Sequence, residues 1–273
     1  MKRSGRIIIV CIIAAVFVGC SAAGGKGRPG QMDFNAEMEW KAPDPAAGKR
    51  PRILFVGNSY TFYNNLTRMF LNIVMSQGEQ SDVYELSQGY YTLEQFANLE
   101  DKGGNMLDQT LAKQKWDFVI LQESSTIAAS ENAEEEMYPY ARILDEKARA
   151  SGAQTALLMT WAPKNGIKSG MKRQNMEDMQ TILAENYIEL SRELDSLLIP
   201  AGVGFMRCAS MYPEIELWDS DGKHPSPAGS YLTACITYAV LFQRSPENCS
   251  YTGDLEGDLA LKLQQVAAEV VLN

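Results

Sequence analysis

Apolar residues along this chain gather in short runs, separated by longer stretches in which they recur every three or four positions. That alternation belongs to a chain that lays strands between helices. Residues 53–56 (ILFV) form the first run, uninterrupted and closed by Gly57, as a strand buried on both faces reads before it leaves its sheet. Leu66, Met69, Phe70, Ile73 and Val74 then keep helical spacing, with Gly78 as the stop. Residues 82–87 (DVYELS) alternate as a second strand, followed by Gln88, Gly89 and an amphipathic segment over 92–99. The third strand, 118–121, is the clearest and exits into Gln122, Glu123, Ser124 and Ser125. A helical pattern over 133–150 stops at Gly152, and 155–159 gives a fourth strand that exits into Thr160, Trp161 and Pro163. Residues 166–170 read as a loop, 176–194 as a helix, and 197–203 as a fifth strand weakened by Pro200. An apolar helix starts at about Ala228, and a closing helix is predicted over 255–272.

Five apolar strands alternating with helices imply parallel strands joined by right-handed crossovers. The predicted class is α/β, a three-layer α/β/α sandwich around a five-stranded parallel sheet. The strand exits of such a sheet share one edge, so Ser59, Gly89, Gln122 and Trp161 are expected to converge there although they lie far apart in sequence.

The N-terminus follows a different pattern. Lys2, Arg3 and Arg6 precede an apolar run over 7–18 and then Gly19 and Cys20, which makes 1–19 an export signal. The run is short for a membrane-spanning helix. Phe17-Val18-Gly19-Cys20 resembles a bacterial lipobox, in which the Cys becomes the lipidated first residue; an ordinary cleaved signal and an uncleaved anchor are the other readings. Residues 20–49, rich in Gly, Ala, Pro and charge, read as a lipidated N-terminus and flexible tether, and 50–273 as a single domain. The expected address is an exported protein, lipid-anchored on the periplasmic or cell-surface side of a bacterial membrane. Cys208, Cys235 and Cys249 belong to the body; three cysteines permit at most one disulfide and leave all three pairings open.

Composition narrows the partners. With 45% hydrophobic and 22% charged residues among 273, the chain is ordinary globular protein. Its net charge of -9, more acidic still without Lys2, Arg3 and Arg6, excludes a nucleic-acid partner and suits a neutral or modestly charged substrate.

Candidate chemistry lies at two places. Asn58 and Ser59 sit where the first strand ends and a helix begins near Tyr60. They would serve there as helix caps, yet a hydroxyl at that exit is also placed to be a nucleophile. His224, the only histidine, lies in the turn-rich stretch SDGKHPSPAGSYL, with Asp221 three residues before it. The short loop lets the carboxylate turn back onto one ring nitrogen while the other faces a hydroxyl. A lone His can act as a general base but cannot build a His-rich metal site, and no metal or cofactor is expected. Trp161 and Trp218 are candidates to contact a sugar ring or an acyl group. Gly202-x-Gly204 is no dinucleotide loop, since Arg207 occupies the third glycine position.

Taken together, Val56-Gly57-Asn58-Ser59-Tyr60 and Asp221-Gly222-Lys223-His224-Pro225-Ser226 resemble the blocks of the SGNH hydrolase superfamily. These are the GDSL-type esterases and lipases, and the likeness is to a bacterial lipoprotein-like branch with a Gly-Asn-Ser first block. It spans residues 52–242. It implies a flavodoxin-like fold, Ser59 as nucleophile, Asp221 and His224 as the other members of a triad, and an oxyanion hole formed by the N–H groups of Ser59 and Gly89. The sequence departs from the family twice. Asn58 stands where the common signature has Asp, and the third block, Gly-x-Asn-Asp, is replaced by Leu121-Gln122-Glu123-Ser124. The Gln122 amide is the candidate for the missing oxyanion donor. The implied activity is hydrolysis of short-chain acyl esters, acetyl foremost, on carbohydrate. A lipase for longer chains and an inactive glycan-binding lipoprotein are the alternatives.

Overall fold

The first apolar run forms β1 (Arg52–Gly57) in the computed structural model, which describes residues 31–46, 48–169 and 172–273. The expected export signal and Cys20 lie outside the described residues. All but the first residue of β1 are buried, because the strand is second in an all-parallel sheet and is flanked on both sides. Its neighbours are β2 (Asp82–Ser87), an edge strand, and β3 (Phe118–Leu121). Beyond β3 lie β4 (Gln154–Leu158) and a short edge strand at Leu197–Ile199. Between β4 and that edge strand the chain makes an antiparallel pair, β5 (Ile167–Ser169) with β6 (Lys172–Gln174), where a loop was expected. The edge strand is therefore β7, and the sheet order is β2-β1-β3-β4-β7: the five parallel strands that the sequence pattern implies, in the flavodoxin-like arrangement that the resemblance implies.

Helices fill the connections. After β1 come α1 (Ser59–Phe62) and α2 (Leu66–Ser76); after β2, α3 (Leu93–Ala97) and α4 (Lys102–Lys113). After β3 come α5 (Ser125–Ala128), α6 (Ala133–Glu136) and α7 (Tyr138–Ala150), the predicted single helix being broken at Met137, with Pro139 in the first turn of α7. The chain then forms α8 (Met176–Glu193) before β7, and α9 (Ala201–Met211), α10 (Pro227–Phe242) and α11 (Gly257–Leu272) after it. α10 packs against α2, α9 and α11, and α7 packs against α3 and α4. Apolar around most of its circumference, α10 is buried from Ala228 to Leu241.

Three expectations are corrected. The fifth strand stops at Ile199 rather than residue 203: Pro200 leaves the strand and Ala201 begins α9. The glycines there serve close packing, since a Cβ on Gly202 would fall 2.2 Å from the Thr160 carbonyl oxygen. α4 was not foreseen because Gly103 and Gly104 discourage a helix, yet a Cβ on Gly104 would stand 1.9 Å from the Asn98 carbonyl oxygen, so the chain needs glycine where α4 meets the loop before it. Finally, the described part of the supposed tether is strapped to the body. Phe34 is buried, Trp40 Nε1 donates to the Val270 carbonyl (2.7 Å), and the buried Arg207 guanidinium donates to the carbonyls of Phe34 (3.1 Å) and Ala36 (2.7 Å). The domain thus reaches back to at least Gln31. The cysteines of the body, Cys208, Cys235 and Cys249, are all buried and form no disulfide.

Candidate active site

Register brings three strand exits side by side. Gly57 of β1 lies opposite Ser87 of β2, and Val56 lies opposite Leu121 of β3, so residues 58–59, 88–91 and 122–125 leave the sheet together at its carboxyl edge. Gln122 is 0% exposed behind the first of these turns. Its Oε1 accepts from the Asn58 N–H (2.9 Å) and from Thr61 Oγ1 (2.8 Å), and its Nε2 donates to Asn58 Oδ1 (3.0 Å) and to the Glu123 carbonyl (2.8 Å). Asn58 in turn caps α1 by accepting the Tyr60 N–H at Oδ1 (3.2 Å), and its Nδ2 donates to the Tyr91 carbonyl (2.9 Å). Gly57 admits this pair, because a Cβ there would lie 2.5 Å from Gln122 Oε1.

The expectation that Gln122 donates to an oxyanion is therefore corrected. An amide nitrogen has two hydrogens, and both are committed inside the core. Gln122 instead holds the nucleophile turn through Asn58, and Asn58 ties that turn to the one after β2. In the latter, Gln88 N–H donates to the Gly57 carbonyl (3.1 Å) and Tyr91 N–H to the Gln88 carbonyl (3.1 Å). Among the described residues, the backbone N–H groups of Ser59 and Gly89 have no acceptor.

The remaining part arrives from the other end of the chain. Residues 217–226 double back: Ser226 N–H donates to the Leu217 carbonyl (2.9 Å), Asp219 N–H to the His224 carbonyl (2.8 Å), and Gly222 supplies the left-handed turn at φ 68°. Asp221 Oδ1 accepts the N–H groups of Lys223 (2.8 Å) and His224 (2.9 Å), which aims Oδ2 at the ring, 2.5 Å from His224 Nδ1. The other ring nitrogen, Nε2, lies 2.9 Å from Ser59 Oγ. A carboxylate at Nδ1 selects the tautomer that leaves Nε2 free to accept the hydroxyl proton. Partial desolvation raises the Asp221 carboxyl, but the hydrogen bonds from the imidazole and the two N–H groups outweigh it and bring the carboxyl down to about 2. Asp221 is thus an anion throughout the neutral range.

Trp161 is not available as a substrate platform, which corrects that expectation, and Trp218, although nearly buried, lines a hollow beside Asp221. Trp161 is 1% exposed, stacked on Phe205 at 4.2 Å between ring centroids, with Nε1 donating to the Lys223 carbonyl (3.0 Å). Trp218 is 5% exposed, donates to the Ala162 carbonyl (3.0 Å) and pairs through its backbone with Pro225. Both brace the histidine loop from within. Beside Asp221 a hollow of about 450 Å³ opens, lined by Lys164, Asn165, Glu216, Asp219 and Ser220, with Trp218 at its wall. Among the described residues no group of three or more His, Cys, Asp or Glu side chains is arranged to hold a metal ion.

Three residues near the site escape a sequence reading. The Tyr60 and Tyr63 rings lie against His224, at 5.6 and 4.0 Å between centroids, and only their proximity to Ser59 hints at it. Glu123, 0% exposed, accepts the N–H groups of Leu93 (2.9 Å) and Ser124 (2.5 Å). Burial pushes its carboxyl up to about 7 despite those two hydrogen bonds, with Glu94 adding to the rise.

Several solved structures share this architecture. A protein from Slackia heliotrinireducens assigned to the SGNH hydrolases is 29% identical, with a TM-score of 0.61, over 70% of this chain and 98% of its own. A DUF4886 family protein from Bacteroides uniformis is 17% identical, with a TM-score of 0.66, over 80% of this chain and 93% of its own. An acetyl xylan esterase is 15% identical, with a TM-score of 0.54, over 69% and 98%. No family model matches the sequence, and no curated protein matches it. The fold and the first of these likenesses indicate the class: the chain is built like the SGNH hydrolases and is similar in sequence to one protein assigned to them. The acetyl xylan esterase, at 15% identity, shares the fold alone.

Two predictions follow from the buried groups. If Gln122 acts through Asn58, Gln122→Ala lowers kcat by about tenfold or more and lowers Tm as well, since it leaves the Asn58 N–H and Oδ1 short of partners. A direct oxyanion donor would lose kcat alone. Asn58→Asp, which replaces the donor to Tyr91 with an acceptor, is expected to lower kcat and Tm in the same way; steady-state kinetics and thermal melts check both. For Glu123, the folded carboxyl holds its proton up to about pH 7, whereas an unfolded one releases it near 4.5. Stability of the parent protein should therefore fall as pH rises from about 4.5 to 7, then level off. Glu123→Gln carries whatever offset its amide imposes but lacks this slope, as melts across that range would show.

Proposed function

We propose that the protein is a serine esterase that removes short acyl groups, acetyl foremost, from carbohydrate. Ser59 is the nucleophile, His224 the general base and Asp221 the group that orients the imidazole. The observation that carries this reading is the continuous hydrogen-bonded line from Asp221 Oδ2 to His224 Nδ1 (2.5 Å) and from Nε2 to Ser59 Oγ (2.9 Å).

In this mechanism Ser59 Oγ forms a bond to the ester carbonyl carbon as its proton passes to His224 Nε2. The carbonyl oxygen becomes an oxyanion, and the N–H groups of Ser59 and Gly89 are the donors offered to it; the turn that carries Gly89 is held by Asn58. Collapse breaks the bond to the alcohol, which leaves with the proton from Nε2. Water then attacks the acyl-enzyme, His224 takes the water proton, and breakdown of the second tetrahedral intermediate returns that proton to Ser59 Oγ as the carboxylic acid departs. Asp221 remains anionic through both halves, favouring the imidazolium each time it forms.

The hollow beside Asp221 supports a polyhydroxylated alcohol. It adjoins the histidine loop rather than Ser59 itself, and its lining of the Asn165 amide, the Ser220 hydroxyl, the Asp219 carboxylate and the Lys164–Glu216 ion pair suits a sugar better than an acyl chain. Export and lipid attachment at Cys20 complete the reading and would hold the enzyme near surface polymers. Purified protein is expected to hydrolyse p-nitrophenyl acetate faster than long-chain p-nitrophenyl esters. Ser59→Ala and His224→Ala should each lower kcat by about 10³-fold or more. Turnover unchanged in Ser59→Ala would end the proposal, and preference for long chains would replace the short-acyl reading by a lipase.

A further inference from the structure

We infer that Tyr63 is a positioning residue for the His224 imidazole, its ring stacked on that of the histidine, and that Asn64 locks the stack in place. The inference rests on the reading of His224 as general base.

The local backbone is unusual. α1 ends after Phe62, and Tyr63 turns out of the helix at φ -56°, ψ 139°, with its N–H donating to the Ser59 carbonyl. Asn64 and Asn65 follow at φ 53° and 56°, two successive side-chain-bearing residues in the left-handed region. Asn tolerates that region better than most residues, but a consecutive pair persists only where surrounding contacts hold it. The contacts are visible. Asn64 Nδ2 donates to the carbonyl of Pro225 (2.8 Å), the residue after His224, and to Ser230 Oγ (3.0 Å) in the first turn of α10. This reversal lays the Tyr63 ring flat on the imidazole, with centroids 4.0 Å apart and planes 9° from parallel.

The imidazole is held from its own loop, from α1 and from the reversal after α1. Asp221 Oδ2 meets Nδ1 from its own loop, beside Lys223, and Ser59 Oγ meets Nε2 from α1. Tyr60 approaches at 5.6 Å, tilted by 32°, while Tyr63 covers one face in parallel. Two effects follow. The stacked ring opposes rotation of the imidazole away from Ser59, and its electron-rich face favours the imidazolium that forms when the serine proton is taken. Tyr63 would thus act on the transition state rather than on substrate binding.

His224 is the only histidine in the chain, so its ring protons give an unambiguous NMR signal. That signal should lie upfield under the ring current of Tyr63, move downfield in Tyr63→Leu and stay in place in Tyr63→Phe. With p-nitrophenyl acetate, Tyr63→Leu is expected to lower kcat by about three- to thirtyfold with little change in KM. Tyr63→Phe should keep both parameters, and Asn64→Gly, which accepts the backbone conformation but removes the tie, should lower kcat.

A folded Tyr63→Leu with parental kcat would overturn the inference, as would a Phe variant as impaired as the Leu variant. If Tyr63→Leu does not fold, an unshifted His224 signal in the parent protein overturns it independently. Ser59→Ala separates the two levels of the argument. Parental turnover in that variant defeats the esterase reading itself, whereas loss of turnover alongside an unaffected Tyr63→Leu defeats only the stacking role.

Discussion

Two buried amides, Asn58 and Gln122, set the geometry on which the candidate site depends. They meet where β1 and β3 end, out of reach of water, and each satisfies polar atoms of the other. A buried pair of this kind is worth most when complete, since a lone buried donor or acceptor costs more than a good hydrogen bond gains. Its position gives it leverage. Asn58 caps the helix that begins at Ser59 and grips the turn that carries Gly89, so one contact fixes the serine and the neighbouring backbone N–H together. The side chain at 58 must donate as well as accept to do this, which is a physical reason for Asn where relatives of this type commonly have Asp.

The opposite wall of the crevice is built by different means. The loop over 217–226 takes its shape from a carboxylate that accepts two N–H groups of its own turn before reaching the imidazole. Trp161 and Trp218 brace it from the interior, and Asn64 pins its far end. Rigidity on both walls keeps the distance between Ser59 and His224 short without a direct tether between their backbones.

Much of this was legible in the sequence. The sheet could be read because β1, β3 and β4 are buried on both faces and appear as unbroken apolar runs. Ser59, Asp221 and His224 could be read because each lies in a short local pattern whose geometry its own neighbours dictate. What could not be read depends on tertiary contact. Gly103, Gly104, Gly202 and Gly204 look like breaks in a helix until the backbone or side chains they must admit are in place. Gln122 was identified as a significant amide, but the direction in which it points is set by Gly57 and Asn58 across the sheet. The segment before β1 has the composition of a tether, and only the partners of Phe34, Trp40 and Arg207 make it part of the body.

The most direct test of the central claim is covalent. A fluorophosphonate reacts with a serine hydroxyl only where an adjacent base removes its proton, so intact-mass and peptide mass spectrometry after brief exposure at neutral pH report the nucleophile itself. The account predicts a single adduct, on Ser59, that is lost in His224→Ala while the protein remains folded. A folded parent protein that takes up no label, or takes it up on another residue, would contradict it.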